Sequence, residues 1–311
     1  MNPLMDVSEL EQRRAAGQRV VLLDVRWALG DPHGHGHYLA GHLPGAVFVD
    51  LATELADPAV PERGRHPLPS PLRFQDAARR WGISHGDVVV AYDDSANMAA
   101  ARVWWMLRNA GLPEVYLLDG GLAAWRAAGL QLEQGEVQPV SGDVTLADGQ
   151  MPVLAAADVT AWMEDRPVTG DARGQGGRPA DKILLDARAG ERYRGEVEPV
   201  DPRAGHIPGA VSAPTSENVD SAGLFLPPAE LRRRFASLGI ADDVQVGVYC
   251  GSGVTAAHQV AALELAGFRA ALYPGSFSEW SNNPHLPVVT GTEPRGDGGS
   301  PAEWNVDGAQ E

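Results

Sequence analysis

The chain has few of the residues that mark secreted, membrane or nucleic-acid-binding proteins. Among its 311 residues there is one cysteine, Cys250, and one lysine, Lys182. A single cysteine excludes an internal disulfide, so the fold does not depend on an oxidising compartment. The N-terminus lacks an apolar run of signal-peptide length, and no segment approaches about 20 uninterrupted apolar residues. We therefore expect a cytoplasmic protein without a membrane partner.

Positive charge is also scarce. Acidic residues outnumber basic ones by 41 to 25, which gives a formal net charge of -16. Such a charge repels phosphate backbones and argues against a nucleic-acid partner. Any anionic ligand must be met by arginines placed close to it. The hydrophobic fraction of 44% is sufficient for large buried cores.

The two halves of the chain repeat each other in four blocks that keep the same order. "VLLDVRW" at 21–27 recurs as "ILLDARA" at 183–189, and "AGHLPGAV" at 40–47 recurs as "AGHIPGAV" at 204–211. "DVVVAYDDSANMAA" at 87–100 recurs as "DVQVGVYCGSGVTAA" at 243–257, and "YLLDGGLAAW" at 116–125 recurs as "ALYPGSFSEW" at 271–280. Four ordered repeats indicate two copies of one domain.

Each copy alternates β-branched runs with helical patterns, which is typical of the α/β class. We expect two tandem domains, each a mainly parallel sheet flanked by helices. The predicted strands lie at 20–24, 88–92, 183–186 and 245–249, and the predicted helices at 99–111 and 254–267. The predicted limits are 1–138 for the first domain, 139–153 for a linker, 154–291 for the second domain and 292–311 for a disordered tail.

Cys250 lies where a predicted strand meets a glycine-rich turn. In "VYCGSGVT" the glycines allow backbone N–H groups to turn inward, and the following helix N-terminus adds partial positive charge. Both effects stabilise a thiolate, which indicates an activated nucleophile. The alternative is a buried structural thiol, but ligands of α/β sheets bind at the carboxyl ends of strands, where Cys250 lies. The first copy has Asp93 at this position, so only the second copy is predicted to be catalytic.

From Val7 to about Thr290 the chain resembles the two-domain rhodanese-type sulfurtransferases. The resemblance rests on the paired "GHLPGA" and "GHIPGA", "RVWW" at 102–105, "LLDGG" at 117–121 and "GSFSEW" at 275–280. Within this family "CGSGVT" is typical of 3-mercaptopyruvate sulfurtransferases. The resemblance implies that Cys250 takes sulfane sulfur from a donor as a persulfide and passes it to cyanide, a thiol or a thioredoxin-like protein. It also implies that backbone amides of the loop stabilise the negative charge of the persulfide. These amides belong to Gly251, Gly253, Val254 and Thr255.

The resemblance further implies a donor site and a proton relay. Arg192 and Arg203 match the two arginines that hold the carboxylate and keto groups of 3-mercaptopyruvate, a task suited to guanidinium forks.

Ser252 and His66 match the serine and histidine of a Ser-His-Asp relay. The acidic position of that relay falls on Ala52, with Asp50 and Glu54 two residues to either side. The relay is therefore incomplete, or Asp50 serves with altered geometry.

Three other functions are alternatives for a cysteine loop of this kind. A thiosulfate sulfurtransferase is the main alternative, but the loop lacks a basic residue to offset the thiosulfate dianion. A cysteine-dependent phosphatase requires an arginine that closes over the phosphoryl group, and residues 250–258 contain none. A noncatalytic sulfur-sensing module is disfavoured by the intact cysteine loop.

The remaining histidines and the tryptophans are predicted to be structural. His33, His35 and His37 alternate with glycines, a pattern that favours a mobile loop over a metal site. His42 and His206 repeat within "GHxPGA" and are expected to maintain the fold through hydrogen bonds. Tryptophans at 104, 105, 125 and 280 are expected to pack in cores. We assign no metal and no cofactor, and we expect a monomer.

Overall fold

The computed structural model describes residues 2–147, 149–164 and 181–296, which form two parallel β-sheets flanked by helices. Each pairing between neighbouring strands of these two sheets is parallel. Parallel strands covered on both faces are built from continuous apolar runs, which the sequence supplies as "VVLL" and "VVVA". The predicted α/β class is confirmed.

The first sheet has the strand order β1-β5-β4-β2-β3. Strands β2 and β4 pair over five residues, from Val20 opposite Val88 to Asp24 opposite Tyr92. The elements of this half are β1 (Leu4–Met5), α1 (Val7–Ala15), β2 (Val20–Asp24), α2 (Gly34–Ala40), β3 (Val47–Phe48), α3 (Leu51–Glu54), α4 (Pro71–Arg80), β4 (Val88–Tyr92), α5 (Ala100–Asn109), β5 (Val115–Leu118) and α6 (Gly121–Ala127).

The second sheet repeats this arrangement without the edge strand, in the order β7-β6-β8-β9. Strands β6 and β8 pair from Lys182 opposite Gln245 to Asp186 opposite Tyr249. The elements of this half are α7 (Ala156–Glu164), β6 (Lys182–Asp186), α8 (Gly190–Arg194), β7 (Val211–Ser212), α9 (Pro228–Ser237), β8 (Gln245–Tyr249), α10 (Thr255–Leu265), β9 (Ala270–Leu272) and α11 (Ser276–Asn282). The four sequence blocks therefore occupy equivalent places in two similar domains.

The two domains pack against each other through the helices that follow their equivalent loops. Helix α5 contacts helix α10 directly, and Arg108 on α5 forms an ion pair with Glu264 on α10 at 3.5 Å. One apolar cluster runs through both domains and includes Trp104 and Trp105. Trp125 and Trp280 are buried as well, so the structural role predicted for all four tryptophans is confirmed.

The segment assigned to the linker follows the surface of the first domain. The N–H of Gly142 donates to the carbonyl of Arg79, and the N–H of Ala147 donates to that of Ala110. Residues 292–296, assigned to the tail, contact the second domain, where the Pro294 carbonyl accepts from the N–H of Gly209. The rest of the predicted tail lies outside the described residues. The domain limits stay a prediction.

The glycine-rich histidine segment is helical. Residues 34–40 form α2, so the mobile loop expected there is wrong. His35 contacts Glu136 at 2.9 Å, and His37 contacts Asp31 at 3.1 Å. Across residues 2–147, 149–164 and 181–296, no group of three or more His, Cys, Asp or Glu side chains is arranged to hold a metal ion.

The paired histidines of "GHxPGA" have matching environments. The Nδ1 atom of His42 hydrogen-bonds to the Tyr38 carbonyl at 2.9 Å, and that of His206 to the Tyr193 carbonyl at 2.8 Å. Each imidazole is buried and stacks on the ring of the same tyrosine. The predicted fold-maintaining role is confirmed. Within the described parts of the chain, the helices are too short or too polar to cross a bilayer.

Candidate active site

Cys250 lies immediately after strand β8, in the loop that leads to helix α10. Its side chain is buried, with 1% of the residue exposed. The backbone N–H of Gly253 donates a hydrogen bond to Sγ at 3.2 Å. A loop amide is therefore aimed at the sulfur, where it stabilises negative charge.

The start of helix α11 fixes the backbone of this loop. The N–H of Cys250 donates to Ser276 Oγ at 3.1 Å. The N–H groups of Phe277 and Ser278 donate to the carbonyls of Cys250 and Gly251, at 3.0 and 2.9 Å. These bonds hold the carbonyl groups away from the sulfur, so the loop presents N–H groups to it.

Several loop amides remain open. In the described residues the N–H groups of Ser252, Val254 and Ala256 have no protein acceptor. The amides of Gly251 and Thr255 make no bond to the sulfur either. Of the predicted amide donors, the structure thus brings the Gly253 N–H to Sγ and leaves the others free for an anion larger than the thiolate.

The equivalent loop of the first domain contains a built-in anion. The buried Asp93 carboxylate accepts four backbone N–H bonds, from Ser95 at 2.8 Å, Asn97 at 2.7 Å, Ala99 at 2.8 Å and Ala100 at 3.0 Å. In the repeat these donors correspond to Ser252, Val254, Ala256 and Ala257. This backbone geometry is therefore suited to holding an anion through its amides.

His66 and Ser252 meet at the boundary between the domains. His66 Nδ1 hydrogen-bonds to Ser252 Oγ at 2.7 Å, although the residues are 186 positions apart. Burial, together with the charges of Arg102 and Arg65, lowers the pKa of His66 to about 4. The imidazole is consequently neutral at physiological pH and free to exchange a proton with the hydroxyl. The structure brings together these two predicted relay residues.

Neither Asp50 nor Glu54 takes the acidic place of the relay in the described structure. Asp50 caps helix α3 by accepting from the N–H of Ala52 at 2.9 Å, and Glu54 accepts from the indole of Trp81 at 3.1 Å. In the part of the chain that the structure describes, no carboxylate lies within ion-pair distance of the His66 ring. Of the two alternatives left by the sequence, the geometry supports the incomplete relay.

Arg192 lies beside the cysteine loop. A Cβ atom built on Gly251 would be 3.4 Å from its Nη1 atom. Its other nitrogens donate to carboxylates, to Glu198 at 2.6 Å and to Asp201 at 3.1 Å. Arg192 therefore lies beside the cysteine loop, and the donor-binding role expected for it stays a prediction.

Arg203 is placed elsewhere. Its guanidinium donates to four backbone carbonyls at the end of helix α11, those of Trp280, Ser281, Asn283 and Leu286, at 2.7 to 3.0 Å. Four of its five N–H donors are thus committed to the fold. This arrangement does not support the donor-binding role expected for Arg203.

Two arginines of the first domain reach the site, and neither was identified from the sequence. Arg65 precedes His66, lies beside Gly251 and forms an ion pair with Asp201. Arg102, the first residue of "RVWW", is fully buried. An arginine among the otherwise apolar residues of 99–107 was the signal that could have indicated Arg102.

Arg102 joins the two halves of the site. Its guanidinium donates to the carbonyls of Gly253 at 3.0 Å, His66 at 2.7 Å and Leu55 at 3.1 Å. Burial lowers its pKa to about 10, and the nearby Cys250 opposes that shift. Among the described residues Arg102 has no carboxylate partner. The negative charge that its guanidinium can balance is therefore that of the sulfur site at Cys250.

The fold and the site together define a class of protein. They describe a tandem α/β protein with one cysteine, held in an amide-lined loop at the domain boundary and suited to covalent group transfer.

Comparison with known proteins identifies the family. The model of the rhodanese-like domain matches residues 6–128 and 171–283. A Mycobacterium tuberculosis protein that carries a thiosulfate sulfurtransferase name, SseB, is 48% identical over 289 residues, covering 93% of this chain and 97% of its own. A Pseudomonas aeruginosa protein that carries a 3-mercaptopyruvate sulfurtransferase name is 46% identical over 277 residues, covering 88% and 93%.

A solved structure gives the same result. The crystal structure of SseA from Escherichia coli, titled as a 3-mercaptopyruvate sulfotransferase with the rhodanese fold, superimposes with a TM-score of 0.75 at 32% identity. The match covers 89% of this chain and 99% of that one. The chain belongs to the rhodanese family of sulfurtransferases.

Proposed function

We propose that this sulfurtransferase takes the thiol sulfur of 3-mercaptopyruvate and carries it as the sulfane sulfur of a persulfide on Cys250. The thiolate attacks the donor sulfur, and the carbon–sulfur bond of the donor breaks. The departing carbon takes up a proton and leaves as pyruvate. An acceptor such as cyanide or a thiol then attacks the outer sulfur, and the Cys250 thiolate is regenerated.

The contact between Ser252 and His66 is the observation that favours 3-mercaptopyruvate as the donor. 3-Mercaptopyruvate has a thiol proton to give up and a carbon that must be protonated, and a hydroxyl paired with a neutral imidazole suits both tasks. Thiosulfate leaves as sulfite and has no such proton. The absence of basic residues from 250–255 supports the same choice, because a thiosulfate dianion has more charge to offset.

The test is to measure kcat/KM for both donors and to follow the mass of Cys250. We expect 3-mercaptopyruvate to be preferred and to add the mass of one sulfur atom to Cys250. The Cys250→Ala variant should show neither turnover nor added sulfur. A large advantage for thiosulfate would overturn the donor, and no persulfide with either compound would favour a noncatalytic module.

The identity of the acceptor, the monomeric state and the cytoplasmic location stay predictions.

A further inference from the structure

A buried arginine of the noncatalytic domain holds one peptide group of the cysteine loop. Arg102 lies in α5 and is fully buried, and its Nη1 atom donates to the Gly253 carbonyl at 3.0 Å. Its Nη2 atom donates to the carbonyls of Leu55 and His66, at 3.1 and 2.7 Å. The direction of the Gly253 carbonyl is therefore fixed by a side chain that is 151 positions away.

That carbonyl shares its peptide group with an open amide. The C=O of Gly253 and the N–H of Val254 belong to one planar trans unit, so they point in opposite directions. In the described structure the N–H of Val254 has no protein acceptor. Arg102 consequently directs the Val254 N–H away from itself and leaves it open to an anion.

The first domain shows where this peptide group points when the loop contains an anion. In the repeat Ala96 corresponds to Gly253, and the two residues have positive φ values of +57° and +76°. The N–H that follows, that of Asn97, donates to the carboxylate of Asp93 at 2.7 Å. Because Asp93 is the counterpart of Cys250, we expect the equivalent amide of the second loop to face an anion on the sulfur.

The charge of Arg102 also fits this task. Among the residues that the structure describes, it has no carboxylate partner, and its Nε atom is buried without an acceptor. A buried cation is stabilised by a nearby anion. The guanidinium and the sulfur of Cys250 lie on either side of Gly253, the first bonded to its carbonyl and the second to its N–H.

We propose that Arg102 is a positioning residue for the anion that forms on Cys250, because it holds the peptide group between Gly253 and Val254 with the N–H directed at the sulfur. Arg102 acts through the backbone of the loop and does not itself bind the donor. The proposal rests on the proposed persulfide at Cys250 but not on the identity of the donor. The coupling of Arg102 to an anion in the loop can be tested without sulfur transfer.

The test replaces the sulfur by a fixed anion. Cys250→Asp gives the second loop the carboxylate that the first loop already has, and Cys250→Asn is its neutral isostere. Arg102→Met is added to each background, and the equilibrium constant for unfolding is measured in urea. We expect Arg102→Met to raise this constant about tenfold more in the Cys250→Asp background, the scale of one hydrogen bond to a charged group.

Arg108→Met is the matched control, because Arg108 belongs to the same helix and crosses the same boundary to pair with Glu264 at 3.5 Å. Its effect on unfolding should be equal in the two backgrounds. Equal effects of Arg102→Met as well would mean that Arg102 only packs the domains together. If Arg102→Met does not fold, Arg102→Lys replaces it. A smaller excess is then expected, since one ammonium group does not reproduce the guanidinium fork, and no excess would overturn the proposal.

Turnover then separates this proposal from the proposed function. Arg102→Met should lower kcat about tenfold with either donor and leave KM unchanged, because Arg102 acts on the charge at the sulfur and not on the donor. Arg108→Met should leave both constants unchanged. A chain that shows the coupling in Cys250→Asp but forms no persulfide would retain the positioning role and lose the proposed function. A chain that forms the persulfide with an unchanged kcat in Arg102→Met would contradict the positioning role.

Discussion

His66 is kept neutral by its surroundings. Burial and two nearby arginine charges lower its pKa to about 4, and no carboxylate among the described residues opposes them. A relay histidine that is oriented by an acid would have its pKa raised instead. The Ser252–His66 pair predicted to form a relay therefore keeps a neutral imidazole across the physiological range.

This arrangement predicts a modest catalytic effect for the hydroxyl. Ser252→Ala should lower kcat for 3-mercaptopyruvate about tenfold, below the usual range for acid–base catalysis because no carboxylate orients the imidazole. Steady-state kinetics with both donors would measure it. Turnover of thiosulfate should be unaffected, and the rate of Cys250 alkylation by iodoacetamide should confirm an intact loop. An unchanged kcat for 3-mercaptopyruvate would remove Ser252 from the relay.

At the level of elements, the turn between β8 and α10 depends on one glycine. Gly253 has φ of +76°, and a Cβ atom there would collide with the Pro274 carbonyl and lie 3.0 Å from Arg102 Nη1. This is also the residue whose N–H reaches the sulfur. Its left-handed conformation thus serves both the turn and the charge on sulfur.

Gly253→Ala should consequently lower the free energy of unfolding by about 3 kcal/mol or more, since backbone strain adds to a collision with fixed backbone. Gly86→Ala is the control. Gly86 has φ of +82° but open space around its Cβ position, so only the strain of about 1 kcal/mol applies. Urea unfolding of both variants would measure the difference. Equal losses would mean that the contact with Pro274 relaxes without cost.

The sequence predicted elements well where local composition determines them. Strands at 20–24, 88–92 and 245–249 were predicted to the residue, because buried parallel strands need continuous β-branched runs. Helix α2 was missed, since glycine and histidine are poor helix formers. Tyr38 of that helix is fully buried and its hydroxyl accepts from the N–H of Val137 at 3.2 Å, a tertiary contact that the local composition does not reveal.

The site was predicted only in part, because sequence patterns show local motifs but not contacts between distant parts of the chain. Cys250, Ser252 and Arg192 lie in motifs that a single domain carries. Arg65 and Arg102 act across the domain boundary, on Asp201 and Gly253, which are more than 100 positions away. No local pattern encodes such a pairing. Only the packing of the two domains in the structure identifies these two arginines as part of the site.

At the scale of the whole molecule, buried neutral histidines make stability depend on pH. Burial lowers the pKa of His258 to about 3, and that of His66 is about 4. Below the ordinary value of about 6.5, the unfolded chain binds protons that the folded chain does not bind. Their contribution to stability is therefore complete above pH 6.5 and is lost as the pH falls toward these lower values.

We expect each of these histidines to lower the free energy of unfolding by about 2 kcal/mol between pH 7 and pH 5. Urea unfolding at several pH values would measure the slope, and His258→Gln should reduce it by that amount. The absolute stability of the variant is not the readout, because His258 also contacts Thr215. A slope identical to that of the unchanged chain would contradict the assignment to His258.

In the loop that contains Asp93, the anion bound by the backbone amides is a side chain of the protein itself, the Asp93 carboxylate. Its four amides are permanently occupied by a side chain, so this loop has a single electrostatic state. In the second domain three of the equivalent amides, those of Ser252, Val254 and Ala256, have no protein acceptor in the described structure, whereas the fourth, that of Ala257, donates to the Val254 carbonyl at 3.2 Å. One chain thus contains two versions of the same loop, one filled by its own carboxylate and one with most of its amides open, and the filled loop shows how this backbone geometry holds an anion.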